Sequence, residues 1–179
     1  MKTKMLIFVF LLGITDLFAQ TLYVPGTIVK GKNASYYCST EYEILIKVNN
    51  VNNVDTTTTM YYDDGTVVPF DEGSAVIETK NEDLVRVFQE ALTQKEIDIL
   101  KSKISYLLML NIVADKQGNT LEITFSFRNN DPVMTKFTPD RFYQLEQELK
   151  KILRLDPNSL DKSIKNIKYI QAISYKDLK

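Results

Sequence analysis

Apolar and polar positions alternate along the first half of the chain with a period of two. They shift to a helical period after about Thr79. From Thr21 to about Ile77 the pattern is β. Tyr42, Ile44, Ile46 and Val48 fall on one face of a strand over Glu41–Val48, with Glu41, Glu43, Leu45 and Lys47 on the other. The repeat Val48-Asn-Asn-Val-Asn-Asn-Val54 and four threonines follow, and Asn-rich stretches favour turns, so a polar loop is predicted from Asn49 to about Thr57. Tyr61 to Val68 reads as a hairpin turning at Asp64-Gly65. Pro69 edges its second strand, and Asp71-Glu72-Gly73 is a further turn leading into Ser74–Glu78.

In the second half, Leu84, Phe88, Ala91 and Leu92 line one helix face. Asn81 is a candidate cap, with Glu82 and Asp83 at the positive end. Thr93-Gln-Lys-Glu96 is a capping box that restarts a second helix to about Ile104. Ser105–Ala114 is apolar on both faces and predicts a central strand covered on both sides. Asp115–Asn119 is a turn. Leu121–Phe127 alternates cleanly, so the two strands form a hairpin. Thr138-Pro139-Asp140 opens a helix with the stripe Phe142, Leu145, Leu149, Ile152 and Leu153, and with Glu146 and Lys150 as an i, i+4 pair on the solvent side. Ile167–Tyr175 reads as a last strand. The predicted class is α+β: N-terminal β-hairpins leading into a helix-helix-strand-strand-helix-strand unit, with helices packed on an antiparallel sheet.

The amino terminus has its own pattern. Lys2 and Lys4 precede an apolar run from Met5 to Ile14, and Ala19 offers a small residue for cleavage. That order predicts a signal peptide over 1–19. The run is about half the length a membrane span needs. The organisation expected is therefore a signal peptide (1–19), a β-rich segment (20–78) and an α+β unit (79–179), the last two forming one compact domain, located in the periplasm or secreted.

The segment Met109-Leu-Asn-Ile-Val-Ala-Asp-Lys-Gln-Gly-Asn-Thr-Leu-Glu-Ile123 resembles the first hairpin of TonB carboxy-terminal domains. Phe142–Leu153 matches the helix after it and Ile167–Tyr175 the last strand. The Tyr-Pro pair, anchoring helix and Pro-rich spacer of such proteins are absent, which argues against energy transduction. The whole chain is similar to small exported Bacteroidetes-type proteins of unknown function. That resemblance implies a location in the envelope or outside the cell, and no activity.

Composition narrows the chemistry. The formal net charge is −1 with neither sign clustered, so no basic face marks a nucleic-acid binder. Lys162, Lys165 and Lys168 read as a solvated face. There is no His, and Cys38 is the one cysteine, so His-dependent triads and zinc sites are excluded, as is an internal disulfide. Cys38 is expected as a buried thiol, with a bridge to another chain as the alternative. No nucleotide-binding glycine motif occurs, and no cofactor is predicted.

Three constellations have chemical potential. Ser159-Leu-Asp-Lys162 has the spacing of a Ser-Lys nucleophile. Asp63, Asp64, Asp71 and Glu72 could approach a calcium ion, although turn formation explains them and no metal site is predicted. Glu41 and Glu43 could pose as paired glycosidase carboxylates. The ten tyrosines stand out more. Tyr36-Tyr37 and Tyr61-Tyr62 are adjacent pairs, and on a strand one ring of each must face outward. Exposed Tyr suits a binding surface, against the plainer reading of Tyr as a good strand residue. Asn33-Ala-Ser35 is a sequon with meaning only in a eukaryotic host. Asp55-Thr56-Thr57 resembles the site at which Bacteroidetes O-glycosylate exported proteins, making Thr56 a candidate modification site. The reading that follows is an exported, non-catalytic envelope protein binding a protein or glycan partner through its sheet. The alternatives are a secreted hydrolase (carboxylate glycosidase or Ser-Lys peptidase) and a purely structural role.

Overall fold

A computed structural model describes residues 21–55, 59–69, 75–103, 105–156 and 163–179. The signal segment, Thr56, Asp71, Glu72, Ile104 and the Ser159–Lys162 motif lie outside the described residues. Among the described residues, six strands form one sheet: β1 (Ile28–Lys30), β2 (Ser35–Glu41), β3 (Leu45–Asn50), β4 (Leu107–Ala114), β5 (Thr120–Arg128) and β6 (Ile167–Ser174). Their order is β1-β2-β3-β5-β4-β6, every neighbour antiparallel. The strands of the first half join those of the second through β3–β5, where Val48 pairs with Phe125. Helices α1 (Asn81–Glu90), α2 (Gln94–Lys101) and α3 (Pro139–Ile152) complete the α+β fold.

Helices α2 and α3 start where side chains dictate. Thr93 and Glu96 form the reciprocal capping box. Thr138 caps α3 at the Arg141 N–H, with Pro139 in the first turn. The cap of α1 is Lys80 rather than Asn81, which is already helical. The apolar stripes of α1 and α3 bury Leu84, Phe88, Phe142, Leu145 and Leu149 against one face of the sheet, on Tyr36, Val48, Phe125, Leu110 and Ile173. At the turn into β5, Gly118 has φ +79°, and a Cβ there would stand 1.9 Å from the Leu155 carbonyl oxygen, so only glycine fits.

Four expectations change. First, no strand runs over Glu41–Val48. The chain reverses at Tyr42 and Glu43 (φ 53° and 61°), and β2 and β3 form a hairpin around them. The turn uses left-handed backbone without Gly, Asn or Pro, so nothing local announced it. Second, the 61–68 hairpin is one bridge, Tyr61 to Val67, turned at Gly65, and is no strand of the sheet. Third, β4 is not central: it lies next to the edge strand β6, and it is fully covered on one face only; Leu107, Met109 and Asn111 stay part-exposed on the other. Fourth, Glu146 does pair with Lys150 (2.6 Å), but it lies in the interior, 1% exposed, drawn there by donors from the sheet.

Between the helices, Arg141 forks onto Glu96 at 2.7 and 2.8 Å and donates to the Ala91 carbonyl. The Arg141 hydrogen bond is the largest cause holding the Glu96 carboxyl down to about 2. A carboxyl depressed on folding stabilises the protein above its unfolded value, near 4.5, and loses that contribution as pH falls through about 2. In urea titrations, Glu96→Gln is expected to cost about 2 kcal/mol at neutral pH, a cost that shrinks between about pH 4.5 and 2. A pH-independent difference would mean that the fork is not formed in solution.

Candidate functional site

Successive strand residues point to opposite faces, and the registers assign each one. Tyr36, Ile46, Val48, Phe125, Leu110 and Tyr169 share the face under the helices. Tyr37, Lys47, Asn49, Thr124, Ser126, Met109, Asn111 and Ile170 share the other. No described helix packs on that second face. Residues 51–55 and 59–69 cover one end of it, where the Val54 and Asp55 N–H groups donate to Glu122 and Lys168 donates to Asp55 at 2.6 Å.

The floor of the open face is polar and internally paired. The Thr124 hydroxyl donates to Asn49 Oδ1 at 2.6 Å, Asn53 Nδ2 donates to the same oxygen at 3.1 Å, and Asn111 Nδ2 donates to the Ser126 hydroxyl at 3.2 Å. Thr124 and Ser126 are small enough to sit below their neighbours and are buried. Larger side chains rise around them. One row across the sheet runs Tyr37, Asn49, Thr124, Asn111, Ile170; the next runs Ser39, Lys47, Ser126, Met109, Ala172. Tyr37 is 43% exposed and Ile170 58%. A face of this kind can make aromatic, aliphatic and amide contacts with a flat ligand.

The four tyrosines do not form one platform. The Tyr36 ring is fully buried, and its hydroxyl donates to Glu146 at 3.0 Å. Burial first, then the Glu146 charge, holds that hydroxyl in its neutral form far above the usual phenol range. Tyr37 faces outward on β2. Tyr61 is exposed and Tyr62 half-buried at a cleft beside the start of β6, four strand positions away, roughly 19 Å. Asp55, Thr59, Gly65, Lys165, Asn166 and Lys168 line that cleft with them, and its volume of about 190 Å³ is below the range of sites that enclose drug-sized ligands.

The other candidates separate. Glu41 ends β2 while Glu43 sits in the left-handed turn, so they share no strand face. Asp63 pairs with Lys116 and Asp64 caps Thr66 within its own turn. Lys168 is not on a solvated face; its side chain is 8% exposed and paired with Asp55. Cys38 is buried, and burial pushes its thiol up to about 11, so it is inert as a nucleophile. Among the described residues, no group of three His, Cys, Asp or Glu side chains is placed to hold a metal, and no helix is long and apolar enough to cross a membrane. Sequence reasoning missed the Asn49, Thr124, Asn111 and Ser126 floor. Its visible signal was the polar residues at the outward-alternating positions of β5 and the lone Asn111 within the apolar run of β4.

The fold has a solved counterpart. The crystal structure of a DUF5043 family protein from Bacteroides uniformis superposes with a TM-score of 0.69 over 87% of this chain and 89% of that one, at 18% identity. Likeness at that identity establishes shared architecture. No family model and no curated protein matches the sequence.

Proposed function

We propose that this is an exported, non-catalytic protein of the cell envelope that binds a protein or glycan partner on the open face of its sheet. The observation that carries the reading is that face: helices seal one side of the sheet, and the other presents Tyr37, Lys47, Met109 and Ile170 around a paired polar floor. Monomeric proteins seldom leave such a surface without a use. A tyrosine ring adds contact area at low entropic cost, and the satisfied floor can be covered without orphaning donors. The Tyr61–Tyr62 cleft would make a second, separate contact, and Thr56 would carry an O-linked glycan. Export rests on Lys2, Lys4, the Met5–Ile14 run and Ala19. The Bacteroides origin of the structural counterpart accords with an exported Bacteroidetes-type protein.

A carboxy-terminally tagged chain recovered from the native host's envelope fraction tests both parts. Its amino terminus is expected at Gln20, and mass spectrometry should identify a co-purifying protein or glycan. Tyr37→Ser combined with Lys47→Ser should reduce that recovery about tenfold or more with an unchanged melting temperature, because both side chains face solvent and not the core. Intact residues 1–19 in most of the protein would overturn export. Undiminished recovery by the double variant would overturn the open face as the binding surface.

A further inference from the structure

The open face gathers charge that the chain as a whole does not show. β1 meets β2 with Ile28 opposite Tyr37 and Lys30 opposite Ser35, so Ile28 and Lys30 join Tyr37 on that face. Glu41, Leu45 and Arg128 form the row beside Ser39, Lys47 and Ser126. Lys47 therefore stands on the diagonal of both Glu41 and Arg128, about 7–8 Å from each between Cα atoms. Among the described residues, Lys30, Lys47, Arg128 and Glu41 make no ion pair. The Arg128 guanidinium lies over the Tyr106 ring, 4.9 Å from its centroid, which steadies it without occupying its N–H groups. The other charged strand residues of the face are committed: Lys168 to Asp55, and Glu122 to the Val54 and Asp55 N–H groups. Three unpaired cations thus share the face with one unpaired carboxylate, on a chain whose formal net charge is −1.

The rest of the face is more aliphatic than aromatic. Ile28 and Ile170 are exposed at its two sides, and Leu45, Leu107 and Met109 are half-buried between them. Tyr37 is the one aromatic ring among the strand residues of this face. A glycan needs several rings to stack its sugars on. Aliphatic side chains with Tyr, Met and Arg around a small polar centre match a protein interface.

We propose that the partner of the open face is a protein whose contact surface sets carboxylates among apolar side chains, with one carboxylate seated between Lys47 and Arg128. This rests on the reading of that face as the binding surface, and adds the partner's class and the sign of its charge. Apolar contact strips water from the two cations, and a carboxylate between them replaces the lost hydration with charge-assisted hydrogen bonds. Glu41 does not serve both, because Leu45 separates it from Arg128. A neutral surface would leave the cations covered and unpaired, and a basic one would repel them.

The wild-type chain gives the test. Tagged protein is mixed with the native host's envelope fraction and treated with a water-soluble carbodiimide, which condenses an amine with a carboxylate it touches. An amide is expected between Lys47 Nζ and an aspartate or glutamate of another protein, identified by mass spectrometry of the joined peptides. Lys95, exposed on α2, should not carry that peptide. Recovery of the same protein should fall about tenfold or more when Lys47→Met and Arg128→Met are combined, and when salt is raised from about 0.05 to about 0.5 M. Lys47→Arg should preserve it. A Lys47 peptide carrying a sugar acid, or joined only to this chain's own carboxylates such as Glu41, would overturn the proposal. So would recovery indifferent to the paired Met substitutions and to salt. If recovery resists those changes but is lost in Tyr37→Ser, the open face stands as the binding surface and the acidic partner alone is refuted. No recovery by any form overturns both. The cross-link is read on the wild-type chain, so it decides even where a variant fails to fold.

Discussion

Phe142→Ala is expected to lower the stability of the protein by about 3–5 kcal/mol, more than any other single truncation of the core. The ring is fully buried on α3 and sits among five others: Phe125 and Phe137 with centroids at 4.9 Å, Tyr23 at 5.5 Å, and Tyr36 and Phe127 at 5.9 Å. Those rings come from β2, β5, the extended Tyr23 segment and the turn before α3. Tyr23 is itself held by its hydroxyl, which donates to the Phe137 carbonyl. Removing the central ring opens a void that elements on four sides cannot all close together. Each pair is also worth about 0.5–1.5 kcal/mol beyond its area. Urea denaturation and the melting temperature report the loss. For a chain of this size the melting temperature should fall by about 10 °C or more. Phe142→Leu, which keeps most of the volume, should cost well under half as much. A Phe142→Ala variant within about 1 kcal/mol of wild type would mean that α3 does not seat on the sheet as described.

How much of this was legible beforehand varies with how local the cause is. The capping box at Thr93, the Thr138-Pro139 start of α3 and the strict alternation of β5 are decided by residues within a few positions of each other, and they appear where their patterns place them. The β2–β3 turn was illegible because Tyr42 and Glu43 adopt left-handed backbone against their own preference. Only pairing along Ser35–Glu41 and Leu45–Asn50 makes that conformation worthwhile. Adjacency showed that one of Tyr36 and Tyr37 must face inward, but which one depends on the register of β2 with β3, a contact made after the turn. The open face was harder still. Its floor assembles Asn49 from β3, Thr124 and Ser126 from β5 and Asn111 from β4, and the β3–β5 pairing joins residues some seventy-five apart in the chain. No periodicity carries that information.

Glu146 is the residue whose role changed most between pattern and structure. Spacing alone paired it with Lys150 on the solvent side of α3; its carboxylate is instead buried under the sheet. One oxygen accepts from the Tyr36 hydroxyl at 3.0 Å and from Asn50 Nδ2 at 3.1 Å, and the other accepts from Lys150 at 2.6 Å. A buried carboxylate beside a tyrosine could be read as catalytic, and substitution separates the two roles. Glu146→Leu leaves a phenol, an amide and a cation without their acceptor, and breaking a buried pair in this way costs about 3–5 kcal/mol. Glu146→Gln keeps the shape and one carbonyl oxygen, so about 1–3 kcal/mol is expected. Tyr36→Phe should cost about 1 kcal/mol on its own, and less in the Glu146→Leu background, because its partner is already gone. Denaturant titration of the four variants gives the coupling directly. Partner recovery should survive Glu146→Gln unchanged, since the open face lies on the other side of the sheet. Glu146 would be a functional group and not an anchor if Glu146→Leu were thermodynamically silent while Glu146→Gln abolished recovery.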